Sequence, residues 1–132
     1  MNNVLSTAIS GLNDATTRLY VSANNIANAR TTGSLTDPQN APYSALTVDS
    51  RTTLNGSVRT ETSPRSPAFI PSFAPDSPFA DDNGLIGTPN VNQAEELINA
   101  QLAKHAYQAN AQIISTAKDL QEELIRAVDD TI

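Results

Sequence analysis

The chain has 132 residues, 14 acidic against 8 basic side chains and a formal net charge of −6, which makes it a poor candidate for phosphate-backbone binding, where a basic surface must displace counterions. With no cysteine, disulfides, thiolate metal sites and cysteine nucleophiles are excluded together. One histidine, no tryptophan and 5% aromatic residues leave little material for an active site or a dense monomeric core.

No run approaches the ~18–20 apolar residues that a bilayer span needs. Residues 1–15 lack the basic start and apolar run of a cleavable secretory signal. The chain is expected to stay in the cytoplasm or to leave by a route that reads no such signal.

All eight prolines fall between Pro38 and Pro89, so both ends are free to be helical. In residues 1–32, Leu5, Leu12, Leu19 and Ile26 recur every seven residues, with Ala8, Ala15, Ser22 and Ala29 three residues after each. That alternation of large and small side chains is a heptad seam on a helix of about 27 residues, about 40 Å long. Thr31, Thr32 and Gly33 supply its stop.

Residues 33–90 read differently. Leu46, Val48 and Val58 alternate with polar residues on either side of Asn55-Gly56, the dipeptide of a type I′ hairpin turn. Over residues 63–78, Pro64, Pro67, Pro71, Pro75 and Pro78 oppose both helix and central strand. Phe69, Ile70, Phe73 and Phe79 are interleaved with them, which predicts an irregular extended strap whose aromatics pack on something. Asp82-Asn83-Gly84 then predicts a turn before Leu85-Ile86.

Residues 91–132 read as a second helix. Asn92 and Glu95 form a capping-box pair just after Pro89. Leu102, Ala106, Ala109, Ile113, Thr116, Leu120 and Ala127 repeat the heptad alternation, with Leu124 beside it. Glu95 and Glu96 suit the helix N-terminus, whereas Asp129 and Asp130 oppose the macrodipole and predict fraying. Both seams use alanine as the small partner. Little area is buried per residue, so two such helices alone offset the ordering cost of ~1–2 kcal/mol per residue poorly. The helices are expected to complete their packing with other chains.

The run Arg18-Leu19-Tyr20-Val21-Ser22-Ala23-Asn24-Asn25-Ile26-Ala27-Asn28-Ala29 resembles the N-terminal signature of bacterial flagellar rod and hook proteins. Asp37-Pro38, Ala41-Pro42-Tyr43, Pro89-Asn90-Val91, Glu95-Glu96-Leu97, Tyr107-Gln108-Ala109-Asn110 and Thr116-Ala117-Lys118 are similar to segments of the proximal-rod proteins of the FlgC type. Departures fall at Arg30, at Leu85-Ile86-Gly87 and at His105-Ala106. The resemblance implies a mainly α fold, with long N- and C-terminal helices pairing as a coiled-coil-like layer and a small irregular or β-hairpin central insert. The implied divisions are an N-terminal helix over 1–32, a Pro-rich insert over 33–90 and a C-terminal helix over 91–132.

The resemblance also implies a structural subunit of the flagellar basal-body rod. It would assemble in the periplasm as a hollow drive shaft that transmits motor torque, after type III export without a cleaved signal peptide. The implied partners are other copies, other rod proteins, the adaptor between rod base and membrane ring, and the export apparatus. No nucleic acid, cofactor, metal or catalytic residue is expected. A cytoplasmic coiled-coil adaptor or chaperone of the export system is the alternative.

Several motifs have plainer readings. His105 has Gln101 and Ala109 as helical neighbours, neither able to orient a catalytic base, and reads as a surface or interface residue. Asp81-Asp82-Asn83-Gly84 lacks the spaced oxygen ligands of a calcium loop and reads as a turn. The Pro-x-x-Pro pairs need be no more than part of a Pro-rich strap. Asn is a mediocre helix former, so Asn24, Asn25 and Asn28 suggest amides used at helix contacts or a helix end. The expected assembly interface comprises Leu5, Leu12, Leu19, Asn24, Asn25, Ile26 and Asn28, then Pro89, Asn90 and Val91, then Leu102, Tyr107, Ala109, Asn110, Ile113, Leu120 and Leu124.

Overall fold

The structure, a computed structural model, describes residues 2–129. Its frame is an antiparallel pair of helices, α1 (Asn2–Asn28) and α2 (Gln93–Asp129). The small half of the α1 heptad makes the pairing possible: Ala8, Ala15 and Ser22 are buried, and on α2 so are Glu96, Ala103 and Ala117. Where Gly11 crosses α2, an added Cβ would stand 2.7 Å from the Asn110 side-chain amide. Small residues let the two backbones approach closely, at the cost of helix propensity at Gly11. Asn92 caps α2, its Oδ1 accepting from the Ala94 and Glu95 backbone N–H groups at 3.1 and 3.4 Å.

Between the helices lie four strands: β1 (Leu46–Thr52), β2 (Val58–Pro64), β3 (Phe69–Phe73) and β4 (Leu85–Pro89). They form two separate two-stranded antiparallel sheets, β1–β2 and β3–β4. The first lies against α1, where the Val58 N–H donates to Ser10 Oγ at 2.9 Å. The second is tied to the end of α1 by Gly33 and Gly87, whose backbones exchange hydrogen bonds of 3.0 and 2.8 Å. A Cβ at Gly33 would collide with the backbone of Asn40 and Pro42, so this crossing needs glycine.

The expectation of a mainly α fold with a small irregular insert is therefore corrected. The helices make up about half of the chain, and the centre is ordered as two sheets, an α+β arrangement. The strap expected over 63–78 contains a strand despite its prolines, for a geometric reason. Pro71 pairs with Gly87, and both backbone groups of Gly87 are already committed to Gly33. Pro71 thus occupies a non-hydrogen-bonded position, where its missing N–H costs no ladder bond. The Asn55-Gly56 turn also differs from expectation. Only Gly56 has positive φ, at 79°, so the turn is not type I′; the Gly56 N–H closes it on Thr53 C=O at 2.9 Å. The C-terminal zone was expected to run to residue 132, and Asp130 with its two successors, like Met1, lies outside the described residues.

Candidate assembly interface

The centre of the molecule is a polar knot. Asn25 on α1 and Glu96 on α2 are 0% and 2% exposed, and the Asn25 amide donates to Glu96 Oε1 at 2.9 Å. The same amide donates to Leu46 C=O at 2.9 Å, while its Oδ1 accepts from Tyr43 Oη at 3.0 Å and from the Leu46 N–H at 2.9 Å. All four hydrogen-bonding positions of the carboxamide are used. Arg65, just after β2, completes the knot through a 2.8 Å bond from Nη2 to Glu96 Oε1. One side chain thus locks together both helices, the segment before β1 and the end of the first sheet. Burial, then the nearby Tyr20 and Glu96, pushes the Tyr43 hydroxyl above its ordinary range and keeps it a neutral donor.

A second cluster fastens the first sheet to α1. Asp14 Oδ1 accepts from Ser50 Oγ, and from Thr60 Oγ1 at 2.8 Å; its Oδ2 pairs with Arg18 Nε at 2.8 Å. Burial alone would raise the Asp14 carboxyl, but the hydrogen bonds from Ser50, Arg18 and Thr60 and the Arg18 charge outweigh it and hold the group low. Between the two clusters runs a groove of about 370 Å³, floored by Val21 and Ser22 and walled by β1 on one side and by Leu102, Ala103 and Ala106 on the other.

The expected interface residues separate into two groups. Leu19, Leu102, Tyr107, Ile113, Leu120 and Leu124 are each about half exposed. Leu5, Leu12 and Ile26 are partly covered, and Ala109 is exposed. The second group is engaged within the protomer. Asn25 is fully spent, and Asn24 and Asn28 turn their amides back onto the carbonyls of Tyr20 and Asn24 at 2.8 and 3.0 Å. Asn90 donates to Pro67 C=O at 2.9 Å, Pro89 pairs with Phe69 in the second sheet, and the Val91 N–H bonds Pro89 C=O. Asn110 faces Gly11. His105 is exposed on α2, beside a shallow surface hollow lined by Leu97, Ile98, Gln101 and Leu102. Among the described residues, no three His, Asp or Glu side chains converge as metal ligands, and no helix is long and apolar enough to cross a membrane.

The sequence did not single out Arg65, Tyr43, Asp14, Ser50 and Thr60 as positioning groups, and it marked Glu96 at the helix dipole and in a family-like segment but not as a buried partner of Asn25. One signal was available: Glu96, Ala103, Asn110 and Ala117 recur every seven residues along the inner face of α2.

Two family models match the chain. That described as "Flagella basal body rod protein" covers residues 5–33, and that described as "Flagellar basal body rod FlgEFG protein C-terminal" covers residues 83–127. The flagellar basal-body rod protein FlgC of Yersinia enterocolitica is 36% identical over 126 residues, covering 89% of this chain and 90% of its own. Those of Agrobacterium fabrum and Salmonella typhimurium are 36% and 32% identical, covering 84% and 89% of this chain and 83% and 90% of their own. The chain belongs to the FlgC family of flagellar basal-body rod proteins. The two matched segments of this rod protein carry one half each of the Asn25–Glu96 bond. Arg65 and Tyr43, which complete the knot, lie between them.

Proposed function

We propose that the chain is a structural subunit of the flagellar basal-body rod that assembles through its terminal helices. The observation that carries this reading is the row of half-exposed large apolar side chains, Leu102, Ile113, Leu120 and Leu124, on a helix whose intrachain seam is already filled by small residues. Apolar stripes of this length gain by burial against neighbouring subunits. The terminal helices, over 1–32 and 91–132, form the inner layer of a hollow shaft that carries torque, and residues 33–90 lie outside it. The partners are other copies, other rod proteins, the adaptor at the rod base and the export apparatus that delivers the chain to the periplasm without cleavage. Sedimentation and electron microscopy of the purified protein test this. Concentration-dependent filaments are expected; a discrete small oligomer at all concentrations would favour the cytoplasmic adaptor instead.

A further inference from the structure

The antiparallel register of the helices leaves one end of α2 without a partner helix. Asn25 meets Glu96 and Gly11 meets Asn110, so the start of α1 at Asn2 lies level with about residue 119 of α2. The last buried residue of α2 is Ala117. The helix nevertheless continues to Asp129, an overhang of about ten residues and about 15 Å. Its outer stripe is Leu120 and Leu124, both more than half exposed, and at helical spacing Asp119 and Glu123 line one edge of that stripe. Neither carboxylate has an ion pair among the described residues.

The complementary surface lies elsewhere on the same molecule. Leu54, at the tip of the β1–β2 hairpin, is fully exposed. Just behind it Arg51 and Arg59 stand directly opposite each other across the two strands. Facing like charges destabilise a hairpin, and among the described residues only Arg59 of the two has an ion pair, an exposed one of 3.2 Å with Glu61. An apolar knob backed by two arginines matches an apolar stripe edged by two carboxylates in apolar character and in sign of charge. The hairpin is held to α1 through Ser10 and Asp14, and among the described residues no backbone or side-chain hydrogen bond joins its tip to α2.

We infer that the hairpin tip around Leu54 docks on the α2 overhang at Leu120 and Leu124 of a second copy of this chain, with Arg51 and Arg59 set against Asp119 and Glu123. The inference rests on the rod reading and names one contact within it. Donor and acceptor are different patches, so the contact is heterologous and can repeat from copy to copy without closing, the geometry of a filament.

The absence of cysteine allows a direct test. A tagged Leu54→Cys chain is mixed with an untagged Leu124→Cys chain under mild oxidation, and the three disulfide dimers are separated by mass. With the two chains in equal amounts, random pairing gives as many mixed dimers as like dimers of both kinds together, and the mixed dimer is expected to outnumber the like dimers by fivefold or more. Arg51→Glu with Arg59→Glu on the first chain should abolish that excess, and Asp119→Lys with Glu123→Lys on the second should restore it. Mixed dimers at the statistical share, or an excess indifferent to charge reversal, would overturn the contact. Sedimentation of the unsubstituted chain separates the two levels. Polymerisation without the cross-link removes this contact and leaves the rod reading standing. A monomer at every concentration removes both.

Discussion

The Asn25 amide and the Glu96 carboxylate meet at 2.9 Å in the least exposed part of the molecule, joining the two terminal helices through a bond between residues 71 positions apart. Replacing Asn25 with Ala removes four hydrogen bonds and leaves the Tyr43 hydroxyl and the Leu46 backbone groups without their partner. The loss should be about 3 kcal/mol, since each buried polar group left unmet costs ~1–3 kcal/mol. Asn24→Ala, at an exposed turn of the same helix, should stay within about 0.5 kcal/mol. Urea unfolding followed by circular dichroism measures both.

Arg65 tests the other side of the knot. Its guanidinium is 2.8 Å from Glu96 but 3.9 Å from the exposed Glu95. Arg65→Met therefore strands a buried carboxylate and should destabilise by about 3 kcal/mol, whereas Glu95→Gln should cost less than about 0.5 kcal/mol. Equal effects of the two substitutions would argue against the buried pair as the dominant contact.

Acid should loosen the first sheet from α1. The Asp14 carboxyl is held below its ordinary value near 3.8. Its contribution is therefore complete above that value and is lost as pH falls through the lower folded one. Asp14→Asn should lower stability at neutral pH and flatten its decline below about pH 4. Unfolding midpoints of both forms between neutral and acid pH provide the comparison.

Gly11 and Asn110 should prove coupled. Gly11→Ala gains up to ~1 kcal/mol of helix propensity but pushes a methyl group into the Asn110 amide. The single change should be destabilising, and combining it with Asn110→Ala should recover stability, a coupling of about 1–2 kcal/mol in a double-mutant cycle.

Leu19 separates folding from assembly. Its side chain is about half exposed in the protomer. Leu19→Asp should therefore leave the unfolding midpoint within about 0.5 kcal/mol of the parent while abolishing filaments and swarming. His105→Ala should change neither.

Both helices were legible from proline placement and the heptads, and the small half of the α1 heptad, Ala8, Ala15 and Ser22, is the face turned inward, but the inward face of α2 was not legible. On α2 the eye follows bulk, from Leu102 through Ile113 to Leu120, whereas the intrachain contact runs along Ala103, Asn110 and Ala117. Close approach selects small side chains, and a ranking by hydrophobic size selects the opposite stripe. The Asn-rich run after Tyr20 announced amides at contacts, yet only Asn25 joins the helices, because Asn24 and Asn28 bond one turn back. The second sheet was hidden by Pro71, whose tolerance depends on Gly87 being paired with Gly33, a relation between three distant positions that local pattern does not carry. Arg65 lies in the Pro-rich stretch with nothing nearby to mark it as the partner of a carboxylate on the last helix.

The inner stripe of α1 has a consequence for how the molecule comes into being. Ala8, Ala15 and Ser22 are matched to a surface that begins only at Glu96. On the ribosome that stripe has no helix to close against until α2 emerges, although the first sheet can dock on α1 through Ser10 and Asp14 before then. The helix pair is thus the last part of the protomer that can form when the chain is made from its amino end.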